Sequence, residues 1–432
     1  MKTLIQNKPK GKDQTSFENM IAPLSAKEFY ATYYEKRACI IHRNDAQYYQ
    51  HLVSMAEINR VLCDNTLLFP KVKLVNSAME TPPRSDEYTV DGSIVHPARY
   101  LKKFSEGCTM VFSALHEHVP ELARFCDQMT KYFSHSFQTN IYLTPANAQG
   151  FKPHYDTHDV FILQVDGSKK WRLYDTPIEL SLKSTPFELD KIEPGEISQE
   201  FTLNAGDMLY IPRGLMHDAE TTGETSLHIT SGLLGFTWMD LLIEAILQHG
   251  QKDVELRKFL PIGFSREEMS EEIQDKVKGA LVNAINSMDL SSSFDRFTDK
   301  VQNDICPKVP GQFKEIIKLN EVNSNSLVEK RPEVWLRTST DKDDSVVIHV
   351  YGEEIKFPNY IEPLVEFVKH NESPFSTSDL PNACDANGKL VFIKRLIKEG
   401  VLHTVAQPQA EPGGIPVLEN EEHQTVVINQ NQ

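Results

Sequence analysis

The chain has 432 residues, 45 of them basic and 61 acidic, for a formal net charge of −16. Apolar residues make up 40% and charged residues 25%, the balance of a globular protein with more than one core. The negative charge repels phosphate backbones, which argues against nucleic acid as the main ligand and suits a basic polypeptide partner. No apolar run reaches bilayer length, and the start MKTLIQNKPKGKDQ lacks the apolar core of a signal peptide. A cytoplasmic protein is therefore expected. Its six cysteines form no Cys-x-x-Cys pair, so neither a zinc site nor a redox motif is indicated.

Taken in chain order, the first stretch mixes helix and strand. Ser25 is placed to start a helix carrying Phe29, Tyr33 and Tyr34, and an apolar strand follows at Cys39–Ile41. An amphipathic helix is predicted from Val119 to Phe133. From Gln138 to Leu234 the pattern becomes β-rich: NIYLTPA, DVFILQV, KKWRLYD, EFTLNAGDMLYIP and SLHITSGL. Gly167-Ser168 and Gly206-Asp207 are turn candidates. Several short strands at close spacing suggest a barrel or a double-sheet jelly roll. Beyond Asp240 the period turns helical. Ser265 and Glu268 stand in capping-box spacing ahead of a stripe of Ile273, Val277, Leu281, Ala284, Ile285 and Met288. A further helix is expected from about Ser293. A smaller α+β unit is expected from about Val328 to Val405. Its strands lie around VWLRTS and SVVIHVYGEEIKF, its helices at Ile361–His370, near Thr377 and at Leu390–Glu399, and VLHTV forms a last strand. The polar end of the chain reads as a flexible tail.

Three potential metal ligands crowd into HYDTHDVF. If residues 154 to 158 form a strand, His154 and Asp156 share one face and Tyr155 points to the other. A third ligand is available at His217 in GDMLYIPRGLMHDAE, on a separate strand of the same barrel. Two histidines and one carboxylate leave three positions open on an octahedral ion, an arrangement suited to Fe(II) that must bind a cosubstrate and dioxygen together. His158 competes for the same face. Lys169 in DGSKKW would sit where a cation can pair with a dicarboxylate. Asn140 and Tyr142 share one strand face, and His228 opens the closing strand.

The segments NIYLTPANAQGFKPHYDTHDVFILQVDGSKKWRLYD and GDMLYIPRGLMHDAE resemble the JmjC-type, cupin-like 2-oxoglutarate and Fe(II) oxygenases, specifically the ribosomal oxygenase group. The resemblance implies an α+β chain built on a double-stranded β-helix, with a helical dimerisation region and a C-terminal winged-helix-like domain. It places the iron ligands at His154, Asp156 and His217 and the lysine for the far carboxylate of 2-oxoglutarate at Lys169. Asn140, Tyr142 and His228 would line the cosubstrate pocket. The expected domains are 1–239 catalytic, 240–325 helical, 326–408 winged-helix-like and 409–432 tail. The expected activity is hydroxylation of an Arg or His side chain in a ribosomal protein, with Fe(II), 2-oxoglutarate and O2 as requirements and a homodimer as the assembly. The same chemistry on another peptide, such as a natural-product precursor, is the first alternative. A nucleic-acid-binding protein using Lys394, Arg395 and Lys398 is the second.

Overall fold

The computed structural model describes residues 14–405 except 80, 82, 176–177, 186–193, 261, 267–268, 306–308, 333 and 342. The expected tail at 409–432 lies outside the described residues. The chain forms two compact units, Met1–Pro307 and Lys308–Gln432. No helix among the described residues is long and apolar enough to cross a membrane.

The first unit begins with two short helices, α1 (Phe17–Ile21) and α2 (Ala26–Thr32), capped by the hydroxyls of Ser16 and Ser25. The helices α3 (Met55–Asp64), α4 (Pro97–Ser105) and α5 (Pro120–Phe133) follow between early strands. The strands are β1 (Cys39–Ile41), β2 (Val72–Val75), β3 (Thr89–Val90), β4 (Ile94–Val95), β5 (Thr109–Ser113) and β6 (Ser136–Thr144). Then come β7 (Asp159–Asp166), β8 (Ser168–Tyr174), β9 (Ile197–Asn204), β10 (Met208–Ile211), β11 (His217–Thr221) and β12 (Ser226–Leu234).

Seven of these strands make a sheet in the order β1-β10-β7-β12-β6-β5-β2, and three make a second in the order β11-β8-β9. Every pairing is antiparallel. Val160, Ile162, Leu209 and Ile211 of the large sheet pack with Trp171, Leu173, Phe201 and Leu203 of the small one. The two sheets therefore face each other, as the predicted jelly roll requires.

The unbroken apolar run of β7 has a simple cause. Its odd residues Phe161, Leu163 and Val165 join the core under the helices, while its even residues Val160 and Ile162 face the second sheet. A strand covered on both faces does not alternate in polarity. Phe161 meets Tyr210 at 5.0 Å between ring centroids, and Phe29 of α2 meets Tyr210 at 5.0 Å. The helical layer is thus seated on the sheet through aromatic contacts.

Within EFTLNAGDMLYIP the chain turns at Gly206-Asp207, as expected, and the turn carries it from β9 in one sheet to β10 in the other. Several local expectations are corrected. Glu268 lies outside the described residues. The helix expected after it, α7 (Glu271–Ser287), starts at a cap on Ser270 rather than Ser265. It lies between α6 (Trp238–Lys252) and α8 (Leu290–Asp304). Of its stripe, Ala284 is buried while Ile285 is exposed.

The second unit has its own core around Val328, Ile348, Leu364, Phe392 and Leu396. It contains α9 (Gln312–Ile317), α10 (Glu362–His370) and α11 (Ala386–Lys398). Strands β14 (Arg337–Thr340), β15 (Ser345–Val350) and β16 (Glu353–Pro358) form a meander. The strand β13 (Val328–Lys330) pairs with the final β17 (Leu402–Thr404). Thr377 is in a turn, not a helix. The Asp379 carboxylate accepts from both Ser376 N and Ser376 Oγ, at 2.8 and 2.9 Å, a local arrangement that competes with helix. α11 begins before the expected Leu390, because the Asp385 carboxylate caps Gly388 N at 2.7 Å.

The turn at Gly206-Asp207 ties β1 to the barrel. Asp207 is 1% exposed. Its carboxylate accepts from Arg43 N (2.6 Å) and Asn204 N (2.9 Å) and meets His42 Nδ1 at 2.9 Å. Gly206 has φ +91°, and a Cβ there would lie 2.0 Å from the Asp45 carbonyl oxygen. Asp207→Ala, which strands these buried donors, is expected to cost about 3 kcal/mol of unfolding free energy. Urea denaturation of the purified variant measures it.

Candidate metal centre

His154 and His217 are joined by an isolated antiparallel bridge. His154 N donates to His217 O at 3.0 Å, and His217 N donates to His154 O at 2.7 Å. Residues directly opposite in such a pair project their side chains to the same side of the ribbon. Their imidazoles accordingly lie 4.6 Å apart between centroids, inclined at 52°. The predicted strand over 154–158 does not form, since β7 begins only at Asp159. Pro153 has no N–H to extend a ladder. Beyond His154 the chain bends so that Asp156 still reaches the two histidines. Its Oδ2 stands 3.8 Å from His217 Nε2. One donor atom from each of the three residues lies within 4.8 Å of the others. Tyr155 turns away into a small cluster with Tyr174 and Met216.

Both rings are oriented by the same device. His154 Nδ1 meets Lys152 O at 2.8 Å, and His217 Nδ1 meets Leu215 O at 3.0 Å. A carbonyl only accepts, so each Nδ1 carries a hydrogen, and it is Nε2 that presents the lone pair of the neutral ring. Burial, reinforced by His154, pushes the His217 pKa down to about 4, which keeps this imidazole neutral. Two imidazole nitrogens and one carboxylate are the donor set of a 2-His-1-carboxylate iron(II) site.

The turn before β11 is fixed from behind. Asp159, 1% exposed, accepts from Arg213 N at 3.1 Å and Arg213 Nη1 at 3.0 Å, and Tyr210 OH donates to it. Arg213 also pairs with Glu35 at 2.6 Å. The strand ends that carry the ligands are thereby linked through a charge cluster centred on the buried Asp159.

The three residues form one wall of a cavity that Lys169, Tyr142 and His228 also line. Lys169 is 4% exposed. Burial lowers its pKa to about 7, and the partner seen for Nζ is Thr144 Oγ1 at 3.3 Å. Among the described residues no carboxylate pairs with it. His228 is 2% exposed, its Nδ1 has no partner among the described residues, and its ring stacks on Tyr142 at 4.9 Å and 8°. Burial, then the nearby Lys169, drives the His228 pKa well below its usual value. A buried amine and an unpartnered imidazole nitrogen in one cavity are polar groups awaiting an oxygen-rich ligand. The residues present fit an iron(II) ion with a dicarboxylate cosubstrate.

The structure brings six of the seven expected residues to this cavity. Asn140 is not among the lining residues. Its Oδ1 accepts from Ala114 N at 3.3 Å, and its side chain hydrogen-bonds Tyr142. His158 does not join the ligands: its ring packs over Gly232, where a Cβ would come within 2.7 Å. Sequence reasoning missed Trp171, Thr230, Thr109 and Asp218, all of which line the cavity. Thr230 carried a signal, since it follows His228 by one alternation and pairs with Asn140 across β6 and β12. Asp218 is held by Arg172 at 2.8 and 3.0 Å and by Gln149 at 3.1 Å.

Residues 114–241 match the JmjC domain. Mouse ribosomal oxygenase 2 is 33% identical over 256 residues, covering 57% of this chain and 54% of that protein. The bifunctional lysine-specific demethylase and histidyl-hydroxylase NO66 of Aedes aegypti is 27% identical over 439 residues, covering 89% of this chain and 67% of that protein. The chain thus spans between about half and two thirds of the length of these two relatives. In fold, it resembles YcfD, a ribosomal oxygenase from Escherichia coli solved with cobalt and 2-oxoglutarate. The TM-score is 0.50 at 16% identity, over 89% of this chain and 99% of that one. Residues 114–241 thus carry a JmjC domain, and the chain is similar to the ribosomal oxygenases.

Proposed function

We propose that the protein is an Fe(II)- and 2-oxoglutarate-dependent hydroxylase of an Arg or His side chain in a ribosomal protein. The observation that carries this reading is the convergence of His154, Asp156 and His217 beside a buried lysine with no carboxylate partner among the described residues. His154, Asp156 and His217 would hold the iron. Iron(II) so held supplies the redox chemistry by which O2 and 2-oxoglutarate yield a hydroxylated carbon, succinate and carbon dioxide. Lys169 anchors the far carboxylate of 2-oxoglutarate, and Tyr142 and His228 flank it. The Nδ1 bonds of His154 and His217 keep both rings in the ligating tautomer throughout. The buried walls exclude water, which strengthens the pairing of Lys169 with an anion.

The relatives' names favour a histidine target over arginine: NO66 is called a histidyl-hydroxylase and also a lysine-specific demethylase. Incubation with ribosomal-protein peptides, followed by mass spectrometry, distinguishes the outcomes. Gain of one oxygen on a His or Arg residue supports the reading, and loss of methyl from lysine alone overturns it. Oxygen gain only on non-ribosomal peptides would select the alternative substrate class. Asp156→Ala is expected to reduce succinate release to background while leaving the circular dichroism spectrum unchanged.

The second unit is read as the winged-helix-like module and helices α6 to α8 as the dimerisation region. In support, Trp238 (79% exposed), Leu242, Ile285 and Phe294 leave a large apolar surface on those helices. Light scattering is expected to give twice the chain mass, and Ile285→Asp is expected to shift it toward the single-chain value.

Lys169 makes cosubstrate binding pH-dependent. Burial holds its pKa at about 7; a paired carboxylate raises it. Below pH 7 the amine is already charged, and affinity is flat. Above pH 7 binding must take up a proton, and affinity falls by up to about tenfold per pH unit. Calorimetry of 2-oxoglutarate binding at pH 8, in buffers of differing ionisation enthalpy, is expected to show net proton uptake that Lys169→Met abolishes.

A further inference from the structure

The three ligand side chains are not steadied in the same way. Each histidine ring has its own hydrogen bond through Nδ1. Among the described residues, no hydrogen bond reaches the Asp156 carboxylate. Its placement depends on its backbone. The Asp156 carbonyl oxygen accepts from two donors, Gly214 N at 2.9 Å and Ser181 Oγ at 3.1 Å. Gly214 belongs to the turn that leads into β11, so this first bond ties one ligand arm to the other. Ser181 comes from a third segment, between β8 and β9, and is 1% exposed.

That segment fits closely against the turn. Gly214 has φ +87°, and a Cβ there would lie 2.1 Å from the Ile178 carbonyl oxygen. Ile178 also packs against Tyr155 and Met216, which flank the ligands in sequence, and against Tyr174 of β8. The buttress therefore touches both ligand arms, and Ser181 supplies its polar contact with Asp156. We propose that Ser181 is a positioning residue for the metal centre: its hydroxyl fixes the Asp156 backbone, and through it the direction of the carboxylate. The proposal rests on the reading of His154, Asp156 and His217 as a metal site.

Two conditions favour this role over simple packing. A carboxylate without its own hydrogen bond swings about two side-chain torsions, so small rotations of its backbone are magnified at the oxygen. Partners that orient metal ligands commonly change affinity by about 10- to 100-fold when removed. The hydroxyl is also buried, so water cannot replace it freely at the Asp156 carbonyl.

The test uses the full chain, free of metal, titrated anaerobically with Co(II) and followed by visible absorption and calorimetry. Thr89→Val serves as a control, because Thr89 Oγ1 likewise donates from a buried site to a carbonyl, Ser85 O at 2.7 Å, outside the centre. Ser181→Ala is expected to weaken Co(II) binding about tenfold and to alter the ligand-field bands, while Thr89→Val changes neither. Ser181→Cys, similar in shape with a weaker donor, is expected to fall between wild type and Ser181→Ala. Should Ser181→Ala fail to fold, the comparison of Ser181→Cys with wild type decides. Wild-type affinity and spectrum in Ser181→Ala, or in Ser181→Cys where that variant decides, would overturn the proposal. Failure of the wild type itself to bind Co(II) would instead overturn the metal reading, and this is seen before any variant is compared.

Discussion

Two backbone hydrogen bonds between His154 and His217 hold the candidate centre together. They bring a residue from the approach to β7 opposite the first residue of β11, in the other sheet. Because the contact is a single bridge rather than a ladder, the chain is free to bend immediately after His154. That bend lets Asp156 join the same side. A continuous strand would have spaced 154 and 156 at the rise of an extended chain and aligned them with further partners. The short bridge fixes the pair and leaves room beside it.

The rest of the first unit acts on this junction. β7 is anchored by burial on both faces, so the chain that leaves the site cannot shift in register without exposing a full apolar face. Asp159, Tyr210, Arg213 and Glu35 connect the start of β7 to the turn before β11. Asp159 is buried, where an unpaired charge is costly; its satisfaction by Arg213 and Tyr210 favours one geometry of the turn. Lys169 is the opposite case. It is a buried amine with no anion among the described residues, and the large depression of its pKa is the electrostatic cost of that isolation.

Much of this was legible in the residues. The β-rich stretch, the turns at Gly167 and Gly206, and the helix beginning at Ser25 follow from periodicity and local chemistry. His154, Asp156 and His217 were legible because their types and spacing match a known donor set. What failed did so for physical reasons. The period-two argument placed His154 and Asp156 on one face through a strand that is not there. Side chains converge by a bend, which alternation does not encode. The turn inside EFTLNAGDMLYIP was legible, but a glycine turn does not say that the strands on its two sides enter different sheets. Ser181 carries no pattern of its own, since its importance arises from a backbone carbonyl that only the folded chain brings near. Asn140 has a suitable identity, but its hydrogen bonds are to Ala114 and Tyr142 rather than into the cavity.

The strand order has a further consequence for how this chain is divided. The matched JmjC segment, 114–241, holds β6 to β12 but omits β1, β2 and β5. In the large sheet β1 covers the outer side of β10, and β5 covers the outer side of β6. A fragment cut at the matched limits would therefore expose unpaired backbone on both flanks at once. Such open margins are templates for self-association. The smallest soluble piece able to carry the ligands must reach back to include Cys39–Ile41, far outside the segment by which the family is recognised.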